Sequence, residues 1–216
     1  MKKFELTTES ITNVAGKKLF RIKALIDFED VKAGELGGYV EKEGNVSQDG
    51  NAWVYGNAWV YDNAWVYGNA WVSGNARVSG NARVSGDARV YDNAWVYENA
   101  WVYGNAWVYD NAWVYDNAWV YGNARVSGNA RVSGDARVCG NADYTLIQGF
   151  GTEFRCTTFY RGKNKKIMVN CGCFHGDLEE FKKQVKETRN GKVAKEYLMI
   201  ADLMEYHFAS EDSDDE

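Results

Sequence analysis

The chain has 216 residues, no proline, four cysteines and a net charge of −5, spread as −1 over residues 1–50, −1 over 51–142 and −3 over 143–216. No basic footprint suited to duplex nucleic acid is present. There is also no apolar stretch of the length a membrane span or an export signal needs, so the expected location is the cytoplasm, with no membrane partner. Four cysteines are too few for a disulfide framework.

The first fifty residues do not repeat cleanly. Phe4 and Leu6 begin a candidate edge strand, and Leu19–Ile26 is a stronger strand candidate. Gly34, Gly37 and Gly38 mark expected tight turns. Residues 1–35 therefore read as an N-terminal β cap, which would cover the open edge that a rod of strands otherwise exposes.

From Asn51 a six-residue phrase takes over: Asn-Ala-Trp/Arg-Val-Tyr/Ser-Gly/Asp. Val recurs every six residues from Val54 to Val138, and Ala from Ala52 to Ala142, without a miss. Ala and Val are two apart, so they share one face of a short strand, and the residue between them points the other way. Gly-Asn and Asp-Asn pairs supply corners at positive φ. Three hexads would close one triangular coil of 18 residues, each strand pairing in parallel with the one 18 residues on. Val40, Gly44-Asn45-Val46 and Gly50 look like degenerate earlier hexads, giving about six coils over residues 36–147. The interior would be a column of Val and Ala with no space for a ligand. The absence of proline fits such a ladder, where each missing N–H would cost a bond.

The outward positions carry the unusual chemistry. All nine Trp lie in the repeat, as do nine of the fourteen Tyr, and Arg occupies the remaining Trp positions. Shifts of 18 generate three ladders: Trp53-Trp71-Arg89-Trp107-Arg125, Trp59-Arg77-Trp95-Trp113-Arg131 and Trp65-Arg83-Trp101-Trp119-Arg137. Aromatic coils alternate with Arg/Ser coils. Large exposed aromatic area marks partner surfaces, and Trp, Tyr and Arg are the residues enriched there. Trp53, Trp59, Trp65, Trp95, Trp101, Trp107, Tyr109 and Tyr115 are the candidate surface for a homo-oligomer, a dimer in the first instance, or for another protein. Arg125, Arg131 and Arg137, with Trp113 and Trp119 one coil earlier, are candidates for a small anionic ligand such as a signalling nucleotide, its base stacked on Trp and its phosphate forked by Arg. Arg137 is the foremost, because the non-repeating segment begins beside it; the alternative is that these arginines only solubilise the rod and cover the Trp rings.

After Ala142 the pattern fails. Glu153–Tyr160 and Lys166–Cys171 read as a hairpin through Arg161–Lys165. Asp177 and Glu180 have capping-box spacing ahead of a helix with a Leu178, Phe181, Val185 stripe. Val193–Phe208 reads as a second helix. Residues 148–209 thus form a small α+β cap, and 210–216 an acidic, disordered tail. Cys156, Cys171, Cys173 and His175 are the one metal-like cluster, but the Cys171-Gly-Cys173 spacing is not that of a zinc knuckle. No metal and no cofactor are expected. Strand alternation would set Cys171 and Cys173 on one side, against the last coil.

The repeat resembles the hexapeptide-repeat left-handed parallel β-helix, with an aliphatic residue such as Val54 and a small residue four later, Ala58. That resemblance implies the left hand; ordinary crossover logic would favour the right. Many proteins of that fold are acyltransferases with a histidine near a coil boundary and loops protruding from the coils. Here His175 and His207 lie outside the repeat and no coil carries an insertion, so no catalytic residues are assigned. Leu19–Ala24, Gly34–Val40 and Gly50–Val54, together with Val169–Phe174 and Lys195–Leu198, resemble a group of uncharacterised phage and prophage hexapeptide-repeat proteins. The expectation is a non-enzymatic binding or scaffold protein, an inhibitor of a host system by that analogy.

Overall fold

The structure is a computed structural model that describes residues 2–209. The tail expected over 210–216 lies outside the described residues. Each hexad forms a two-residue strand, β4 (Trp53–Val54) through β18 (Arg137–Val138), fifteen in all. Every strand pairs in parallel with the one 18 residues away, for example Trp53↔Trp71, Trp95↔Trp113 and Trp101↔Trp119. Three sheets result, forming a three-sided parallel β-solenoid of about six turns. The three ladders expected from the 18-residue shift are the three registers observed.

Val54 to Val138 and Ala52 to Ala136 of the repeat are all buried and form one continuous core, while Ala142, beyond the last strand of the rod, is exposed. Backbone bonds run along the rod, such as Tyr55 N–H to Val72 O at 2.8 Å and Trp59 N–H to Ala76 O at 2.9 Å. The corners sit at positive φ, and not only at glycine: Asp62, Asp92, Glu98, Asp110 and Asp116 lie between φ 56° and 62°. A non-glycine residue there costs about 1–2 kcal/mol. Asp62, Glu98, Asp110 and Asp116 offset it by accepting the next coil's corner N–H. Asp110 takes that of Gly128 and Asp116 that of Gly134, each at 3.0 Å. Beside them, Asn side chains form amide ladders, Asn63 to Asn81 to Asn99 to Asn117, at 3.0–3.3 Å.

The N-terminal cap is built from β1 (Phe4–Thr12), β2 (Lys18–Ala24) and β3 (Leu36–Val40). β1 and β2 are antiparallel, and β3 joins them to the solenoid by pairing antiparallel with β2 and parallel with β5 (Trp59–Val60). Gly34 is a turn residue at φ 90°, as expected. Gly37 and Gly38 are instead strand residues. A Cβ on Gly37 would meet Ile22 and the Val54 carbonyl at 2.6 Å and the Trp53 ring at 2.8 Å, so the two glycines serve close approach rather than turning. Val40 and Val46 take the places of degenerate repeats, opposite Val60 and Val66.

The first coil is closed by side chains. Asn45 donates to the Asp62 and Ala64 carbonyls. Lys3 is buried, with Nζ on the Gly50 and Ala52 carbonyls at 3.1 and 2.8 Å. Burial lowers its pKa to about 8, against a smaller opposing effect of Asp49.

The solenoid ends earlier than residue 147. β19 (Tyr144–Phe150) leaves it and pairs antiparallel with β20 (Arg155–Arg161), which pairs with β21 (Ile167–Cys171) and then β22 (Phe174–Asp177). The cap therefore has four strands where the sequence suggested two. Tyr144 and Thr145 stand opposite Tyr160 and Phe159, and this antiparallel pairing captures the segment that the hexad pattern no longer holds. α1 (Leu178–Thr188) begins at the expected capping box of Asp177 and Glu180. α2 (Gly191–Phe208) starts two residues before the expected Val193.

Alternation along the sheet gives it two jobs. Tyr160 and Met168 face the solenoid core, while Phe159 and Val169 join Phe181, Tyr197, Ile200 and Phe208 in a second core beneath the helices. The sheet also finishes the last coil. Thr158 Oγ1 accepts from Arg131 N, and Asn170 Nδ2 donates to Arg131 O and Ser133 Oγ at 2.9 and 3.0 Å. Arg161 pairs with Asp143 at 3.2 Å and donates to Phe208 O, tying the coil end to α2.

Candidate functional site

The outward side chains stack along the rod. Trp95 and Trp113 lie 5.2 Å apart and near parallel at 6°, and Trp101 and Trp119 lie 5.3 Å apart at 14°. Tyr91–Tyr109, Tyr97–Tyr115 and Tyr103–Tyr121 stack at 5.0–5.1 Å within 6° of parallel. The arginines complete these columns. Arg77 lies between Trp59 and Trp95 at 4.5 and 4.8 Å, and Arg89 between Trp71 and Trp107 at 5.5 and 5.4 Å. Each aromatic pair contributes about 0.5–1.5 kcal/mol and each exposed cation–π pair about 0.5–1 kcal/mol. Burial raises the phenol pKa of Tyr91, Tyr97, Tyr103 and Tyr121, with the neighbouring phenol or thiol adding to it.

Two expectations for these residues are corrected. Trp53 is not part of an outer surface. It is fully buried under the N-terminal cap, edge-on to Phe4 at 5.9 Å and to Phe28 at 5.4 Å. The other candidates, Trp59, Trp95, Trp101, Trp107, Tyr109 and Tyr115, are half-buried, and Trp65 is 40% exposed at the open end of its ladder, stacked on Tyr67.

The second correction concerns the anion site. Arg125, Arg131 and Arg137 lie over Trp107, Trp113 and Trp119 at 4.7, 4.7 and 4.2 Å. Trp113 is thus sandwiched between Trp95 and Arg131, and Trp119 between Trp101 and Arg137. No ring face is left for a base to stack on. The Arg137 guanidinium also donates to the Asn117 and Ala136 carbonyls. Sequence spacing placed these residues on the correct ladders and left two roles open, an anion site or a cover for the Trp rings, and the distances are those of the cover.

The cysteine-histidine segment is also arranged differently. Cys171 ends β21, Gly172 (φ 61°) and Cys173 make the two-residue turn, and Phe174 opposite Cys171 begins β22. Cys171 shares the face of Ile167 and Val169, so it packs on the helical core, not against the last coil, and accepts from Thr157 Oγ1 at 3.1 Å, while the turn breaks the alternation at Cys173, which is exposed. Among the described residues no group of three or more His, Cys, Asp or Glu is placed to hold a metal. His175 is brought to the solenoid by folding: a Cβ on Gly134, at the last corner, would meet its ring at 2.9 Å. It borders a cleft of about 390 Å³ shared with Asp116, Asp135, Lys163 and Lys166.

A recess that the sequence did not signal lies between β20, the β21–β22 turn and the helices. Arg155, Cys171, Phe174, Gln184, Arg189 and Tyr197 line it. Burial pushes the Tyr197 phenol up, the adjacent Cys171 adds to this, and Arg189 and Arg155 oppose it. These residues come from five separate elements, and no local pattern joins them.

No helix in the described residues is long and apolar enough to cross a membrane. A search of curated proteins finds no match to the chain. The family model described as YdcK Beta solenoid repeat matches overlapping stretches 58–74, 70–86, 76–90, 82–98, 88–104, 118–134 and 124–140. Those matches fall wholly within the strands and corners of the rod, and by fold and repeat alike the chain is a β-solenoid repeat protein.

Proposed function

We propose that the chain is a non-enzymatic binding scaffold whose aromatic solenoid faces engage a protein surface, first of all a second copy of itself as a dimer. The observation that carries this reading is the stacked, half-buried Trp and Tyr columns. Their ring faces are occupied within the chain, while their edges form aromatic stripes along the three sheets, interrupted at the Arg/Ser coils. Side chains already fixed by stacking lose little freedom on association, which favours binding through preorganisation. Rings with covered faces suit protein contact better than stacking on a base or a sugar. The same stripes would serve a heterologous protein, such as the host protein that the resemblance to phage proteins implies.

Sedimentation velocity at micromolar concentration tests the reading. A species of twice 24.4 kDa that reverts to one chain in a Trp101→Ser/Trp107→Ser variant would support it. A monomer whose outward tryptophans, from Trp59 to Trp119, are all open to iodide quenching, and which retains no protein partner, would overturn it.

A further inference from the structure

We infer that the C-terminal cap holds a binding site for a phosphate monoester carried on an apolar or aromatic body, in the recess between Arg155 and Arg189. The argument starts with charge. Residues 143–209 hold eleven Lys and Arg against nine Asp and Glu, in a chain that is acidic overall. The solenoid arginines are stacked on tryptophan, and Arg161 is paired with Asp143. Arg155 and Arg189 have no carboxylate within 4.0 Å among the described residues, yet both stand beside the Tyr197 phenol.

They arrive from different elements. Arg155 opens β20 and reaches across the turn, where its Nη1 lies 2.5 Å from the place a Cβ would take on Gly172. A side chain there would displace it, so the glycine at φ 61° both makes the turn and leaves room for the guanidinium. Arg189 follows the last turn of α1. A cation at a helix C-terminus is favourable for its own sake, which accounts for Arg189 alone but not for Arg155 beside it.

The cavity has the matching shape. An inner recess of about 50 Å³, the size of one small anionic group, shares Arg155, Cys171, Phe174, Gln184, Thr188 and Arg189 with an outer groove of about 850 Å³. Phe174, Phe181 and Tyr197 give the recess an aromatic floor, and Lys183 adds a third cation to the groove. Two guanidiniums offer forked N–H pairs that match phosphate oxygens. A phosphate monoester, at about −1.5 to −2 charge near neutral pH, suits them better than a single carboxylate. Glu153 at the recess and Glu180 and Glu187 in the groove weigh against any anion. This site is independent of the solenoid faces and stands or falls apart from them.

Titration calorimetry on the full chain tests it, with AMP, inorganic phosphate, adenosine and citrate as probes. AMP is expected to bind more tightly than phosphate, and adenosine not to bind. Arg155→Gln and Arg189→Gln should each weaken AMP at least about ten-fold, Glu153→Gln should tighten it, and Lys186→Gln, on the outer face of α1, should leave it unchanged. Circular dichroism confirms that each variant folds, since all four side chains are exposed. Three results would overturn the proposal: no saturable binding of AMP or phosphate, citrate binding more tightly than AMP, or AMP binding indifferent to both arginine substitutions.

Discussion

The repeating middle of this molecule and its non-repeating ends solve the same problem with opposite means. In the middle, every coil offers the next an identical surface, so Val stacks on Val, Asn on Asn and ring on ring. Stability there is a sum of similar neighbour terms. At the ends there is no next coil, and each orphaned group needs its own partner. Lys3 and Asn45 serve the first coil's carbonyls, while Thr158 and Asn170 serve Arg131 in the last coil. The middle tolerates change because its interactions are many and alike, whereas the ends depend on single residues. The two proposals divide along the same line, one resting on the aromatic stripes of the rod and the other on a discrete recess in the C-terminal cap.

The comparison breaks most readily at Trp53. Trp53→Ala removes a fully buried ring between the first coil and the N-terminal cap and should cost about 3–5 kcal/mol. Trp101→Ala, the same residue type in mid-ladder, should cost about 1–2 kcal/mol, mostly lost stacking. Urea unfolding midpoints give both values, and equal losses would mean that the ends are no more specific than the middle.

Gly37→Ala comes next. Its Cβ would press on Ile22, the Val54 carbonyl and Trp53, for a loss of about 1–3 kcal/mol by overpacking. Gly44→Ala has no heavy atom within 4 Å and no positive φ, and thermal unfolding should leave it unchanged.

Asn170→Leu should cost about 1–3 kcal/mol by leaving the Arg131 carbonyl without its donor. It also leaves a strand edge unprotected, so light scattering should show concentration-dependent association beyond that of the parent chain.

The smallest effect concerns pH. Lys3 has a folded pKa lowered to about 8 from 10.5. The unfolded chain therefore binds the extra proton between those values, and this group's contribution to stability rises as pH climbs through about 8 to 10.5. Lys3→Met should remove that rise from stability measured between pH 7.5 and 9.5, a window chosen by the same shift. The tyrosine columns act in the other direction. Their raised pKa means that the folded chain holds its phenol protons longer, so stability falls once pH passes about 10.

The hexad made the rod legible. With Val and Ala on one face and a turn pair every six residues, strand positions, register and all three outer ladders could be read by counting. The capping box at Asp177 and Glu180 is equally local and was equally legible. Trp53 shows where counting stops, because it obeys the repeat and is buried all the same, by Phe4 and Phe28 from a segment without repeat. Arg131 and Arg137 show a second limit, since position on a ladder does not say whether a guanidinium reaches for solvent or lies on the ring below it. Cys171 and Cys173 show a third, where one glycine at positive φ turned an expected strand into a hairpin.

The sequence by itself determined the coil, its period, its core and the order of its faces, because each of these is a local geometric rule repeated until it cannot be mistaken. Tertiary structure alone decided which outer residues are covered, where the rod ends, and that Arg155, Cys171, Arg189 and Tyr197 meet. Those outcomes rest on contacts between segments far apart in the chain, and such contacts leave no period to count.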